Sequence, residues 1–269
     1  MSIWGQARPA PSKRQGRGTC AAANSLRAAP GRCDKRAMRS LILLALAFGA
    51  IGAAPGPERR YSVTSFDRIR VDGPIDVEVR TGTAPMAMAT GDAAALDGLL
   101  LKVDGQTLTV RRRIALSGAR DAGPRRPVIV TLGTPVLRGV AVNAGGRVTA
   151  DRMVAQRIDL AVNGSGTLSV AGVAADNLVA TITGAGTMTL AGKAGRARYL
   201  ITGPGSYAAS ALIANDLFVS TDGPGEVAVA ARYTADIVAN GLGSVTVAGS
   251  PACRVKATGG GAVVCTPKR

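Results

Sequence analysis

A chain of 269 residues is long enough for one large β domain or two ordinary ones. With 35 Gly, 3% aromatics and an apolar fraction rich in Ala and Val, its composition argues against a helical core and for many short strands with tight corners. There is no His, which removes the commonest general base and the commonest metal ligand, and the formal charge is +16.

The N-terminus accounts for much of that charge. Residues 1–37 are rich in Arg, Ala, Gly and Ser, lack periodicity, and read as a non-native or disordered extension. From Met38, a short Met-Arg-Ser start leads into the apolar run Leu41–Ala54, which ends in small residues. The run is too short for a bilayer span of roughly 20 residues, so residues 38–54 are expected to be a cleaved signal peptide. No Cys follows to take a lipid anchor. Nine of the 33 Lys/Arg and one of the 17 Asp/Glu fall within residues 1–54, leaving 24 against 16, a net of +8. The remaining cations concentrate at Arg111-Arg112-Arg113, Arg120, Arg125-Arg126 and Lys268-Arg269, read as solvated loop charge rather than an anion patch.

Residues 61–140 are read as an N-terminal cap with irregular coils. Val71-Asp72-Gly73-Pro74-Ile75 resembles a corner with its strand. Leu99–Val103 is expected to pair with Leu108–Val110 across Asp104-Gly105, and the Arg-rich stretch 111–126 to form an exposed loop.

Residues 141–265 carry a repeat: Asn143-Ala144-Gly145-Gly146, Asn163-Gly164-Ser165-Gly166, Thr183-Gly184-Ala185-Gly186, Thr202-Gly203-Pro204-Gly205, Asp222-Gly223-Pro224-Gly225, Asn240-Gly241-Leu242-Gly243 and Thr258-Gly259-Gly260-Gly261. The last glycines are 20, 20, 19, 20, 18 and 18 residues apart. Around each copy apolar residues alternate with period two, as in Ile158, Leu160 and Val162 before a corner and Leu168 and Val170 after it. The last coil continues the pattern with inward Cys253, Val255 and Ala257.

One such unit cannot bury its apolar face alone, whereas stacked copies can. The predicted architecture is therefore an all-β, single-domain parallel β-solenoid over residues 61–265, with coils of 18–20 residues and right-handed crossovers. Glycine suits corners that need positive φ and leave little room for a Cβ. The Asn, Thr or Asp before it is expected to bond the backbone of its own corner and of the next coil.

Gly-x-Gly also occurs in phosphate-cradling loops, but those need a following helix, and here a strand pattern follows every copy. No nucleic-acid partner, cofactor or metal is expected. Cys20 and Cys33 lie in the excluded segment, while Cys253 and Cys265 both point inward in the last coil. A structural disulfide between them would seal the C-terminal end. Ser165 is a corner residue rather than a nucleophile. Asp176, Asp216 and Asp236 recur near the end of each coil and could line up as a carboxylate row, although a solvated polar ladder explains them as well. After residue 54 the aromatics are Tyr61, Phe66, Tyr199, Tyr207, Phe218 and Tyr233, few for a sugar-stacking cleft.

The segment Phe66-Asp67-Arg68-Ile69-Arg70-Val71-Asp72-Gly73-Pro74-Ile75-Asp76-Val77, with the Asn/Thr/Asp-Gly-x-Gly ladder, resembles the head GIN domain of the auto-transporter adhesins. The resemblance covers residues 61–265 and implies an exported envelope domain connected with surface adhesion. Only four residues follow Cys265, so no translocating barrel is expected. Two functions are carried forward. One is a non-catalytic periplasmic or surface module for an envelope glycan or protein, with no membrane span after signal cleavage and an edge open to self-association. The alternative is a β-helix lyase or hydrolase acting on polysaccharide.

Overall fold

The computed structural model describes residues 57–113 and 128–265; the extension, the signal segment and the arginines at 120, 125 and 126 lie outside them. β1 (Glu58–Tyr61), β2 (Arg68–Asp72), β3 (Asp76–Thr81) and β4 (Met86–Thr90) precede one short helix, α1 (Ala93–Asp97). β5 (Leu99–Asp104) and β6 (Thr107–Arg112) form an antiparallel hairpin across Asp104-Gly105. β7 (Ile129–Thr134), β8 (Gly139–Ala144) and β9 (Arg147–Ala150) lead into the regular coils. There β10 (Met153–Gly164), β11 (Thr167–Thr183), β12 (Thr187–Thr202), β13 (Ser206–Asp222) and β14 (Glu226–Ala239) each run unbroken to the next corner. β15 (Ser244–Gly249), β16 (Ala252–Ala257) and β17 (Val263–Cys265) follow. Hydrogen bonding joins these strands into one sheet, wound into a parallel β-solenoid of about six turns.

A single coil shows why the chain winds. In β11, Leu168 and Val170 point inward, then Val173, then Leu178, Ala180 and Ile182. The inward phase changes twice, so the strand bends twice between glycine corners and each coil has three faces. Successive coils place like residues in register: Ile158 beside Leu178, Leu160 beside Ala180, Val162 beside Ile182. The shifts in register fall at the bends, between Val170 and Val173 and again between Ala209 and Ile213. Coils of 18 and 20 residues can therefore stack with their corners aligned.

At the corners backbone meets backbone. Gly184 has φ +111°, and a Cβ there would stand 2.8 Å from the Gly164 carbonyl oxygen, so both conformation and space call for glycine. Ala144 occupies the equivalent place with φ 67° and is the one non-glycine residue with positive φ among the described residues. The polar residue before the corner bonds differently from the expectation. Asn163 Nδ2 donates to Asn143 Oδ1 at 3.0 Å, Asn143 Nδ2 to Asp72 Oδ1 at 2.5 Å, and Thr258 Oγ1 to Asn240 Oδ1 at 2.8 Å. The ladder runs side chain to side chain because residues stacked in parallel register present identical positions to each other.

The N-terminal coils do not stack in chain order. β2 lies between β6 and β8, and β3 between β7 and β9, so the coil at 68–81 is inside and a later segment lies outside it. That outer segment is itself covered: β5 pairs antiparallel with β6, β4 with β7, and β1 with β4, while Ala95 and Leu96 of α1 are buried. Among the described residues the C-terminal end has no such cover. A disulfide joins Cys253 and Cys265, whose Cα atoms are 6.5 Å apart. Val255 is nevertheless 45% exposed and Ala257 is exposed, although their phase is inward, because no further coil of the described residues lies over them.

One polar irregularity of the core is a tyrosine pair. Tyr199 and Tyr207 pack with ring centroids 5.0 Å apart; Tyr207 Oη donates to the Leu200 carbonyl at 2.9 Å, while buried Tyr199 Oη has no partner. Burial pushes the Tyr199 phenol well above the ordinary tyrosine range, and burial followed by the neighbouring Tyr199 does the same for Tyr207.

Three outcomes follow from this packing. Gly184→Ala should lower stability to urea by about 3 kcal/mol, whereas Ala144→Gly should raise it by up to ~1 kcal/mol. Replacing Cys253 and Cys265 with Ala should cost about 3 kcal/mol, and mass spectrometry of peptides holding Cys253 and Cys265 should show both thiols alkylated only after reduction. Because both tyrosine phenols are raised in the folded state, their contribution to stability is intact below about pH 10 and lost above it. Tyr199→Phe should gain about 1 kcal/mol in urea melts and lessen the alkaline loss.

Candidate functional site

The alternation that sends Leu178, Ala197, Leu217 and Ala235 inward sends their neighbours outward on the face before the corner. Parallel register aligns these neighbours in rows. One row reads Arg157, Asn177, Arg196, Asp216 and Thr234, and the next reads Asp159, Val179, Arg198, Phe218 and Asp236. Together they form a shallow groove of about 550 Å³ running across coils, lined among others by Arg196, Arg198, Asp216, Phe218, Thr234 and Asp236.

The charges in this groove are unevenly occupied. Arg157 Nε pairs with Asp159 at 3.0 Å, Asp236 with Arg254 at 3.7 Å, and Asp216 Oδ1 accepts from Thr234 Oγ1 at 2.7 Å. Among the described residues Arg196 and Arg198 have no acidic partner; the Arg198 guanidinium instead lies 4.6 Å from the Phe218 ring centroid. Arg196 and Arg198 are both exposed and lie two residues apart on one strand, their Cα atoms separated by roughly 7 Å, beside a half-buried aromatic ring.

Asp176, Asp216 and Asp236, which could have lined up as a carboxylate row, do not share one row. Asp216 and Asp236 share the groove in different rows, while Asp176 lines a second depression of about 750 Å³ on another face, with Lys193 and Arg232. The physical reason is register: Asn177, not Asp176, aligns with Arg196 and thence with Asp216. The corner residues, Ser165 included, sit at the turn of each coil rather than in the groove, and the Ser165 amide donates to the Ala144 carbonyl at 3.0 Å. Among the described residues no cluster of three or more His, Cys, Asp or Glu side chains could hold a metal. Arg111, Arg112 and Arg113 are exposed at the end of β6 and beyond it.

Sequence reasoning passed over Arg196, Arg198 and Phe218. The available signal was parity: each lies next to an inward residue and must face out.

The family described as "Putative auto-transporter adhesin, head GIN domain" matches residues 65–251, well over half of the chain. The chain belongs to the head GIN domain family. Solved structures share the GIN fold. A putative adhesin from Bacteroides fragilis superposes with a TM-score of 0.70 at 21% identity, covering 77% of this chain and 95% of that one. A putative adhesin from Parabacteroides distasonis gives 0.62 at 22%, with 77% and 95% covered. A protein from Parabacteroides distasonis described as putatively lipid binding gives 0.61 at 19%, with 79% and 97% covered. No curated protein matches.

Proposed function

We propose that this GIN domain is a non-catalytic binding module of the cell envelope, exported to the periplasm or surface, whose groove takes an extended polyanionic glycan. The observation that carries this reading is the pair of unpaired guanidinium groups, Arg196 and Arg198, beside Phe218 in a groove open along the stack. Guanidinium groups suit carboxylates, and the Phe218 ring lies against the Arg198 guanidinium and holds it over the groove. The Cys253–Cys265 disulfide fits an oxidising compartment. Among the described residues no helix is long and apolar enough to cross a membrane. The names of the adhesin-like solved structures agree with a binding role.

The groove does bring Asp216 and Asp236 near Arg196 and Arg198, a combination that polysaccharide cleavage could use. The binding reading rests on how the acids are engaged. Asp216 is exposed and held by Thr234, and Asp236 faces Arg254, so neither is set apart as a desolvated proton carrier.

Purified protein should bind polygalacturonate or alginate saturably, weaken as salt is raised, and ignore neutral dextran. Arg196→Ala with Arg198→Ala, and separately Phe218→Ala, should each weaken binding by about tenfold with thermal stability preserved. New reducing ends or unsaturated products from the same polysaccharides would establish the enzyme instead. Binding unchanged in both variants would remove the groove from the function.

A further inference from the structure

The two ends of the solenoid are built differently, and the difference defines a second surface. At the N-terminal end the outermost strands are covered by antiparallel partners. At the C-terminal end β16 pairs with β14 on one side, and β17 with β15 on one side, with no strand of the described residues on the other.

The direction of the free backbone groups follows from the pairing. Thr258 N–H donates to the Ala239 carbonyl at 2.9 Å. In a parallel pair alternate residues turn both N–H and C=O to the same neighbour, so Arg254 and Lys256 face β14 while Cys253, Val255 and Ala257 face outward. Likewise Val245 N–H donates to the Ala262 carbonyl at 2.9 Å, which leaves the backbone groups of Val263 and Cys265 facing outward. The edge thus offers a run of unpaired donors and acceptors above a partly exposed apolar floor that includes Val255. Its outer row bears Arg254 and Lys256.

The geometry points to this edge as a strand-addition site for an extended segment of another protein, one that alternates apolar residues with Asp or Glu. The apolar residues would cover Val255 and Ala257, continuing the core, and the acids would lie beside Arg254 and Lys256. Charge decides against the other occupants. Antiparallel pairing of two copies with matched faces sets Arg254 of one copy opposite Arg254 or Lys256 of the other, which is repulsive. Head-to-tail stacking meets the covered N-terminal end. Residues 1–56, 114–127 and 266–269 of this chain are themselves net basic. Edge cations that discourage like strands leave an acidic strand as the complementary partner.

The test uses the full exported chain and a fluorescein-labelled peptide, acetyl-Val-Glu-Val-Glu-Val-Glu-Val-amide, followed by anisotropy. Saturable binding is expected, with at least about tenfold weaker binding of the peptide carrying Lys in place of Glu. Val255→Pro removes an N–H that faces away from β14, so the ladder to β14 survives while peptide binding is lost. Arg254→Glu with Lys256→Glu should invert the preference towards the Lys peptide, and this holds as a test should the proline variant fail to fold. Three results would each overturn the proposal: no binding of the acidic peptide, equal binding by folded Val255→Pro protein, or a dimer of the free protein whose edge is already occupied. Arg196→Ala with Arg198→Ala should leave peptide binding intact, so failure of the glycan groove and failure of this edge are read separately.

Discussion

The close approach of backbone to backbone at the corners is the constraint on which the rest depends. A Cβ at Gly166 would stand 2.9 Å from the Gly146 carbonyl oxygen, one at Gly186 3.0 Å from that of Gly166, and one at Gly205 2.8 Å from that of Gly186. The same pair of atoms meets coil after coil, which fixes the spacing of adjacent strands at the corner near the ordinary 4.8 Å. Once the corner is pinned, a slip of one residue would turn every inward side chain out, so the parity of both flanking strands is set from the same point. The bends meet less regularly, although at one of them Gly192 has φ +128° and a Cβ there would run into the Val173 carbonyl oxygen. They absorb the one- and two-residue differences between coils, and the core rows stay aligned despite unequal coil lengths.

This explains what was legible in the sequence. Glycine at a fixed spacing and alternation on both sides announced the solenoid, because both arise from local requirements repeated in every coil. The inward rows through Ile158, Leu178 and Ala197 could be read by parity alone. The N-terminal stacking could not. That β2 lies between β6 and β8 depends on which edge the chain returns to after the hairpin, and no local residue pattern encodes that choice. Ala144 shows a related limit: its left-handed conformation is imposed by Gly164 above and Gly73 below in the stack, since alanine alone would not select it.

The groove was less legible for a different reason. Outward residues answer to no packing requirement, so Arg196, Arg198 and Phe218 form no repeat and stand out only when adjacent coils are placed in register. The aspartates show the converse. Asp176, Asp216 and Asp236 recur at nearly the coil length, but parallel register tolerates no error, and one position is enough to send Asp176 to another face. Recurrence marks a ladder only where it keeps step with the corners.

A solenoid of this kind separates the residues that hold it together from those that meet a ligand. The inward rows and corners carry the stability, and a corner substitution propagates to both neighbouring coils through the shared carbonyl. Exposed outward residues contribute little, commonly within about 0.5 kcal/mol each. The groove and the C-terminal edge therefore sit on a frame that does not depend on them. Change at Arg198 or Phe218 remodels the outer face without disturbing Ala197, Leu217 or Val219 beneath it. Relatives at 19–22% identity can share the coil geometry for the same reason: the fold constrains glycines and parity, while the outer rows are free to differ from one protein to another.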